Sequence, residues 1–304
     1  MKFCRFISKA DERVGCIVDD SRQGVADISE IVGACDLLNL IDSPELMKRV
    51  AAYLDAGSLG SRELLKISDV TLLPPVARPG KIVCLAGNYR AHITESGYVE
   101  PAARANFTQQ LFLKPSTSLL GHGGIIELGE TNHRVGWEAE LAVVIGKRGK
   151  SITKNNALDH IFGYTILNDI SERGLNSNIN DRHLREMDGF CDWLAGKWFD
   201  GFAPCGPCIV TTDELPRPHE LEIKFYLNGE LRQQGSTAEM IFSIPEQIEY
   251  ISSIMTLEPG DIISTGTPSG AGLGDKRSSL ADGDKMTCEI EGIGLLNTTV
   301  RWRG

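Results

Sequence analysis

The sequence predicts a mostly β fold with few helices, preceded by a small N-terminal α+β domain. Three observations predict it. After Gly80, short apolar and β-branched runs alternate with turn residues for over 200 residues. Within that stretch only one segment carries a clear helical period. The composition, 41% hydrophobic and 24% charged over 304 residues, is ordinary globular usage and supplies a sizeable core.

Taken in order, MKFCRFI and VGCIVDD read as strands. The stretch from Ser43 to Ala56 reads as a helix, with Ser43 as its N-cap, Pro44 at the first helical position and a glycine following. LLPPVARPG is a Pro-rich linker ending near Gly80. The small domain is therefore placed at 1–77 and the catalytic domain at 78–304. Beyond it LAVVIG, FGYTILND, CIVTT, EIKFYL, DIISTG and MTCEIEG are strand-like. Ile223, Phe225 and Leu227 alternate before Asn228-Gly229, a strong hairpin turn. Ser243 to Glu246 is a capping box, and Ile244, Ile248, Ile251 and Met255 follow at helical spacing until Pro259-Gly260.

The formal net charge of −10 repels nucleic acid and anionic membranes, and no Lys/Arg run offsets it. The same acidity is compatible with a carboxylate-rich site for a hard cation. Eight cysteines are scattered. The first residues hold no signal-peptide core, and no stretch reaches the roughly 20 apolar residues of a membrane span. A cytoplasmic protein with free thiols is expected.

Candidate chemistry centres on VGWEAELAVVIG at 135–146. Glu138 and Glu140 lead into an apolar run, and on a strand i and i+2 share a face. Two carboxylates on one face repel unless a cation or protons intervene. The plain alternative is a strand end whose glutamates point to water. Asp169 ends a second apolar run and is either a turn residue or a third oxygen ligand. Three carboxylates would suit Mg2+, Mn2+ or Ca2+, and not Zn2+. In the segment at 81–97, His92 and Glu95 stand at i, i+3, so one helical turn brings them together. A histidine steered by a glutamate can act as a general base; the alternative is a solvated first turn.

Seven segments, taken together, resemble the fumarylacetoacetate hydrolase family. They are GNYRAHITE, LFLKPSTS, WEAELAVVIGK, GYTILNDISER, GKWFDGFAPCGP, the helix from Ser243, and PGDIISTGTPSGAG, and they occur in the family's order over residues 78–304. The resemblance implies a mixed β-sandwich or roll, a Mg2+ or Mn2+ ion and a homodimer. It assigns the metal carboxylates to Glu138, Glu140 and Asp169, the water-activating pair to His92 and Glu95, and a catalytic lysine to Lys197. Substrate contacts fall on Thr267 and Arg173, with Tyr89 beside them. Asn176 stands where many members carry a glutamine. The segment from Asn178 to Leu194 is expected to be a loop with its own substrate contacts, and the segment around His92 a lid.

The activity implied is hydrolysis of a C–C bond in a small 2,4-dioxo acid, an acylpyruvate or fumarylpyruvate, in the catabolism of aromatic or sugar-derived compounds. Products would be a carboxylic acid and a 2-oxo acid. The rival reading keeps the site but makes it a decarboxylase or isomerase of a 2-oxo or 2-hydroxy-unsaturated dicarboxylic acid. A second rival is a non-catalytic protein that binds a metal or ligand and kept the fold. Cys205-Gly-Pro-Cys208 imitates a redox motif but precedes a strand. Gly149-Lys150-Ser151 imitates a P-loop end, but the glycine it needs is Val144. Gly270, Gly272 and Gly274 lack a following helix and read as a turn. His122, His133, His160, His183 and His219 have no ligand spacing and read as surface or structural. Lys114 reads as readily as a structural ion pair as a site residue.

Overall fold

The computed structural model describes residues 1–18, 24–55, 64–97, 108–131, 134–179, 182–273 and 279–303. One large sheet organises them. Its main path runs through Gly24–Asp27, Asp11–Val18, Lys2–Ser8, Ala203–Thr211, Ile161–Asn168, Ala139–Ile145, Ile262–Ser264, Ile82–Ala86 and Gln110–Lys114. A second, five-stranded sheet is ordered Glu230–Ser236, Glu222–Leu227, Lys285–Ile290, Gly294–Trp302 and Ile125–Leu128. The mostly β expectation is met. No helix among the described residues is long and apolar enough to cross a membrane.

The strand Ala139–Ile145 is buried at every position, as a central strand rich in Val, Ile and Leu should be. It pairs antiparallel with Ile161–Asn168 on one side and Ile262–Ser264 on the other. Alternation splits its side chains between two cores. Leu141, Val143 and Ile145 join a cluster with Ile223, Phe225, Met286 and Leu296 of the second sheet. Ala142 and Val144 join another with Ile28, Leu37, Leu40 and Val50 from the N-terminal part. Glu140 has the parity of Ala142, so it belongs to the face that the N-terminal helices help to cover.

Residues 1–77 are continuous with this sheet. Lys2 pairs with Val210 and Phe3 with Ile209, which adds the N-terminal strands to the edge of the catalytic sheet. The expected helix is found at Pro44–Asp55, with Ser43 Oγ accepting the Leu46 N–H at 3.3 Å. Ala56 lies outside the described residues, as do His133, Gly274 and the part of the expected lid from 98 onward. The helix Ile244–Ile254 has its capping box, with Glu246 accepting the Ser243 N–H at 2.9 Å. Asn228 and Gly229 take φ of 53° and 84°, the paired left-handed conformation of a tight hairpin turn.

One expectation is corrected. The stretch 178–194 is not loop throughout, because Asp188–Ala195 forms a helix. Asp188 in its first turn accepts the Arg185 N–H at 2.9 Å, and Trp193 and Leu194 pack against the N-terminal-side core. The Cys-Gly-Pro-Cys segment lies inside the strand Ala203–Thr211, where burial pushes the Cys205 thiol up to about 12. A thiol so hard to ionise is a poor redox nucleophile.

The strand Val135–Gly136 approaches the 265–273 loop so closely that a Cβ on Gly136 would stand 1.6 Å from the Gly272 oxygen. Both partners are backbone, so neither can yield cheaply. Gly136→Ala should cost about 1–3 kcal/mol in chemical unfolding, the usual range for forced overpacking. Unchanged stability would mean that this contact does not hold the loop in place.

Candidate active site

The three predicted metal ligands converge. Glu138 immediately precedes the strand Ala139–Ile145, and Asp169 immediately follows Ile161–Asn168. Those strands are antiparallel and Ala139 pairs with Asn168, so the start of one meets the end of the other. Main-chain bonds lock the corner. Asp169 N–H donates to Glu138 O at 2.8 Å, and Glu138 N–H donates to Asn168 Oδ1 at 3.0 Å. One carboxylate oxygen from each of Glu138, Glu140 and Asp169 lies within 4.8 Å of the others, and all three residues are buried.

Their environments push two of them apart electrostatically. Burial raises Glu140, and Asp169 and Glu138 raise it further, so it sits well above the usual carboxylate range although Ser264 donates to it. Gly266 N–H donates to the same oxygen at 2.9 Å. Burial also opposes ionisation of Glu138, but Lys197, Arg173 and His92 outweigh it and hold Glu138 well below that range. Lys197 Nζ reaches Glu138 Oε2 at 2.8 Å and Asp169 Oδ2 at 2.6 Å. Burial disfavours its ammonium, yet Asp169 and Glu138 hold it above the ordinary lysine value. Its ammonium also lies 4.8 Å from the Phe112 ring and 5.6 Å from that of Trp193.

The donor set fits a hard divalent cation. It is all oxygen, it is buried, and burial together with two acidic neighbours raises the pKa of one member, a penalty a cation relieves. No nitrogen or sulfur ligand joins the group among the described residues, which favours Mg2+ or Mn2+ over Zn2+.

His92 and Glu95 share the helix Arg90–Glu95. Asn88 anchors the root of that helix by donating to Thr265 O at 2.7 Å and to Phe242 O at 3.1 Å. His92 Nε2 then stands 3.8 Å from Glu138 Oε1, beside the carboxylate cluster. Its Nδ1 is 3.5 Å from Glu95 Oε2 and makes no hydrogen bond among the described residues. Glu95 instead accepts the Gly270 N–H, at 2.9 Å for its closer oxygen. The pair is adjacent but the glutamate is bound elsewhere.

The expected substrate contacts are placed differently from one another. Arg173 donates through Nη2 to Glu138 Oε1 and through Nε to Gly272 O at 2.8 Å. Tyr89 is buried with a hydroxyl that has no hydrogen-bond partner among the described residues; burial raises its pKa well above the ordinary value, and Glu140 and Glu239 add to this. The Thr267 hydroxyl donates to Ala139 O at 2.9 Å and accepts from Gln233 Nε2 at 2.8 Å, so it is engaged inside the protein. Asn176, at φ 61°, donates to Asp192 Oδ1 at 2.8 Å and ties its loop to the Asp188–Ala195 helix.

Two residues of this centre, Gln233 and Ser264, are not singled out in the sequence, and a third, Lys114, stays open there between a structural ion pair and a site residue. Lys114 donates to Asp169 Oδ1 at 2.6 Å. Gln233 accepts the Ala139 N–H at 3.0 Å while holding Thr267, and Ser264 donates to Glu140. Gln233 shares the parity of Leu231 in its strand, which is no guide because Leu231 is exposed. Only the approach of the second sheet to the first gives Gln233 its partners.

Residues 81–301 match the family model of the fumarylacetoacetate (FAA) hydrolase C-terminal domain. The chain is 39% identical over 264 residues to the mitochondrial oxaloacetate tautomerase FAHD2B of Bos taurus, covering 83% of this chain and 80% of that protein. It is 41% identical over 242 residues to the oxaloacetate tautomerase YisK of Bacillus subtilis, covering 78% and 75%. Among solved structures, the maleylpyruvate hydrolase from Sphingobium sp. SYK-6 in complex with manganese (II) ion and pyruvate superposes with a TM-score of 0.78 at 29% identity, covering both chains fully. The 5-carboxymethyl-2-hydroxymuconate delta-isomerase from Mycobacterium smegmatis does so with a TM-score of 0.74 at 30% identity, again covering both chains.

Because Glu140 holds its proton well above the usual range, a cation that binds there must displace it. Mn2+ binding should therefore release a proton and tighten as pH rises through the raised value. Calorimetry in two buffers of different ionisation enthalpy reads this directly. Glu140→Gln should abolish most of the buffer dependence. Identical heats in both buffers for the unmodified protein would show that Glu140 is already ionised.

Proposed function

The chain belongs to the fumarylacetoacetate hydrolase family, and from that premise we propose that it is a Mg2+- or Mn2+-dependent enzyme that interconverts the keto and enol forms of a short 2-oxo dicarboxylic acid such as oxaloacetate. The observation that carries the reading is the position of His92. Its Nε2 lies beside the carboxylate cluster, while Glu95, the residue that would steer it toward water, is bound to Gly270. Enolisation needs a base and a stabilised oxygen; hydrolysis needs, in addition, an oriented water. The relatives named as tautomerases support the same choice.

A bound cation would supply positive charge at the adjacent carboxylate and keto oxygens of the substrate and so stabilise the enolate. The protein's own groups do the rest. His92 Nε2 would take the proton from the carbon next to the keto group and return it to the enolate oxygen, and do the reverse in ketonisation, so that the proton is conserved. The Lys197 ammonium, kept charged by Asp169 and Glu138, donates a hydrogen bond to the oxygen where charge develops. The neutral Tyr89 hydroxyl, buried and without a hydrogen-bond partner among the described residues, is a second donor. Arg173 brings a planar guanidinium suited to a carboxylate, although it now rests on Glu138.

C–C hydrolysis of a 2,4-dioxo acid is the second reading. It is favoured by the joint presence of His92, Glu95 and Lys197 and by the likeness to a maleylpyruvate hydrolase. In that case a small rotation of Glu95 off Gly270 would let it orient His92 against water.

The two readings separate on one pair of variants. His92→Ala should lower tautomerisation about 10²–10⁴-fold, the usual contribution of a positioned acid–base group. Glu95→Gln should lower it less than about tenfold, since the glutamate is not hydrogen-bonded to the base. The assay follows enol-oxaloacetate and a panel of acylpyruvates with each metal. Turnover of acylpyruvates alone, lost equally in both variants, would replace the first reading by the second.

A further inference from the structure

Two ammonium groups hold Asp169, and only one of them can be spared for chemistry. Lys114 Nζ donates to Oδ1 and Lys197 Nζ to Oδ2, each at 2.6 Å. Lys197 is also bound to Glu138 Oε2 and is the donor the proposed reaction requires at the substrate. Any turn of Lys197 toward a substrate oxygen loosens its grip on Asp169. Lys114 has no such second task. Its side chain is 0% exposed, and its other bond goes to Ile170 O at 3.1 Å, the residue next to Asp169. One ammonium thus fixes both the side chain and the adjoining main chain of a metal carboxylate.

The placement of Lys114 is itself rigid. It ends the strand Gln110–Lys114 and pairs with Ile82 in the ladder. Trp198 Nε1 donates to the neighbouring Leu113 O at 2.8 Å and ties this edge to the segment that carries Lys197. A buried ammonium is costly to desolvate, and an apolar side chain of similar volume serves stability as well or better. A lysine here is therefore better explained by what it does to Asp169 than by fold stability.

We propose that Lys114 is a positioning residue of the metal centre: it fixes Asp169 as a cation ligand, so that Lys197 can leave that carboxylate for the substrate. The proposal rests on the divalent-cation reading of the site. It assigns separable tasks to the two lysines, metal affinity to Lys114 and substrate donation to Lys197.

The test is Mn2+ titration, by calorimetry and by electron paramagnetic resonance of free Mn2+. Lys114→Met should weaken Mn2+ binding about 10–100-fold, the usual loss when the group orienting a ligand is removed. Lys197→Met should bind Mn2+ within about threefold of the unmodified protein and lose turnover. Lys81→Met breaks a part-buried lysine–aspartate pair with Asp261, away from the carboxylate cluster, and controls for stability; it should lower the unfolding midpoint and leave Mn2+ affinity alone. Lys114→Gln keeps a donor and decides the matter if the methionine variant does not fold, with a loss of affinity smaller than that of the methionine variant but beyond the control. Mn2+ binding by the Lys114 variants as tight as that of the unmodified protein, or tighter, overturns the proposal. No Mn2+ binding by the unmodified protein overturns the cation reading and this proposal with it.

Discussion

Three buried carboxylates within 4.8 Å of one another are the constraint on which the rest of this molecule depends. Two like charges 4 Å apart repel by about 4 kcal/mol at the effective dielectric of a protein. A fold that brings three together must supply compensation at the same place. Here Lys114, Lys197 and Arg173 each lie on one or two of the carboxylates. The compensation is uneven. Glu138 receives Lys197, Arg173 and the neighbourhood of His92, whereas Glu140 is hydrogen-bonded by a hydroxyl and an amide on one oxygen and feels Lys197 less than burial or its acidic neighbours. The site is thus divided into a flank whose carboxylate pKa is lowered by nearby cations and a flank whose carboxylate pKa is raised by burial and acidic neighbours.

That division places the chemistry. The Glu138 flank carries His92, the proposed acid–base residue, and Lys197, the proposed donor, both beside Glu138. The Glu140 flank is tied to Ser264 and Gly266, which precede Thr267 in the loop. Gly270 of the same loop holds Glu95, and Gly272 accepts from Arg173. A single loop therefore touches a metal carboxylate, the partner of the base and the arginine. Displacing it would disturb three functions at once, which gives physical meaning to its tight backbone contact with Gly136.

The family match begins at residue 81, yet the preceding chain is not an ornament. Its strands extend the catalytic sheet, and its helices cover the face that bears Glu140. The proposed catalytic residues lie in the matched part. Ile28, Leu37, Leu40 and Val50 from outside it share a core with Ala142 and Val144 of the strand that carries Glu140. Burial matters there because charge interactions strengthen as the local dielectric falls.

Much was legible in the chain itself. Spacing of i and i+2 put Glu138 and Glu140 on one face, a capping box marked the helix at Ile244, and Asn228-Gly229 marked a hairpin, because each depends only on residues a few positions apart. The i, i+3 spacing correctly made neighbours of His92 and Glu95, but it could not reveal that Glu95 is bound to Gly270, 175 residues away. The helix at Asp188–Ala195 was also hidden, since its apolar residues pack on a core assembled from distant segments. Lys114 lay in a quoted segment but its role stayed open, and Gln233 carried no local signal; the partners of both lie more than 30 residues along the chain. The sequence alone determined residue types, periodicities and turns, which are local properties. Tertiary structure alone decided which charge answers which, because Coulomb and hydrogen-bond energies depend on distances in space that chain separation does not set.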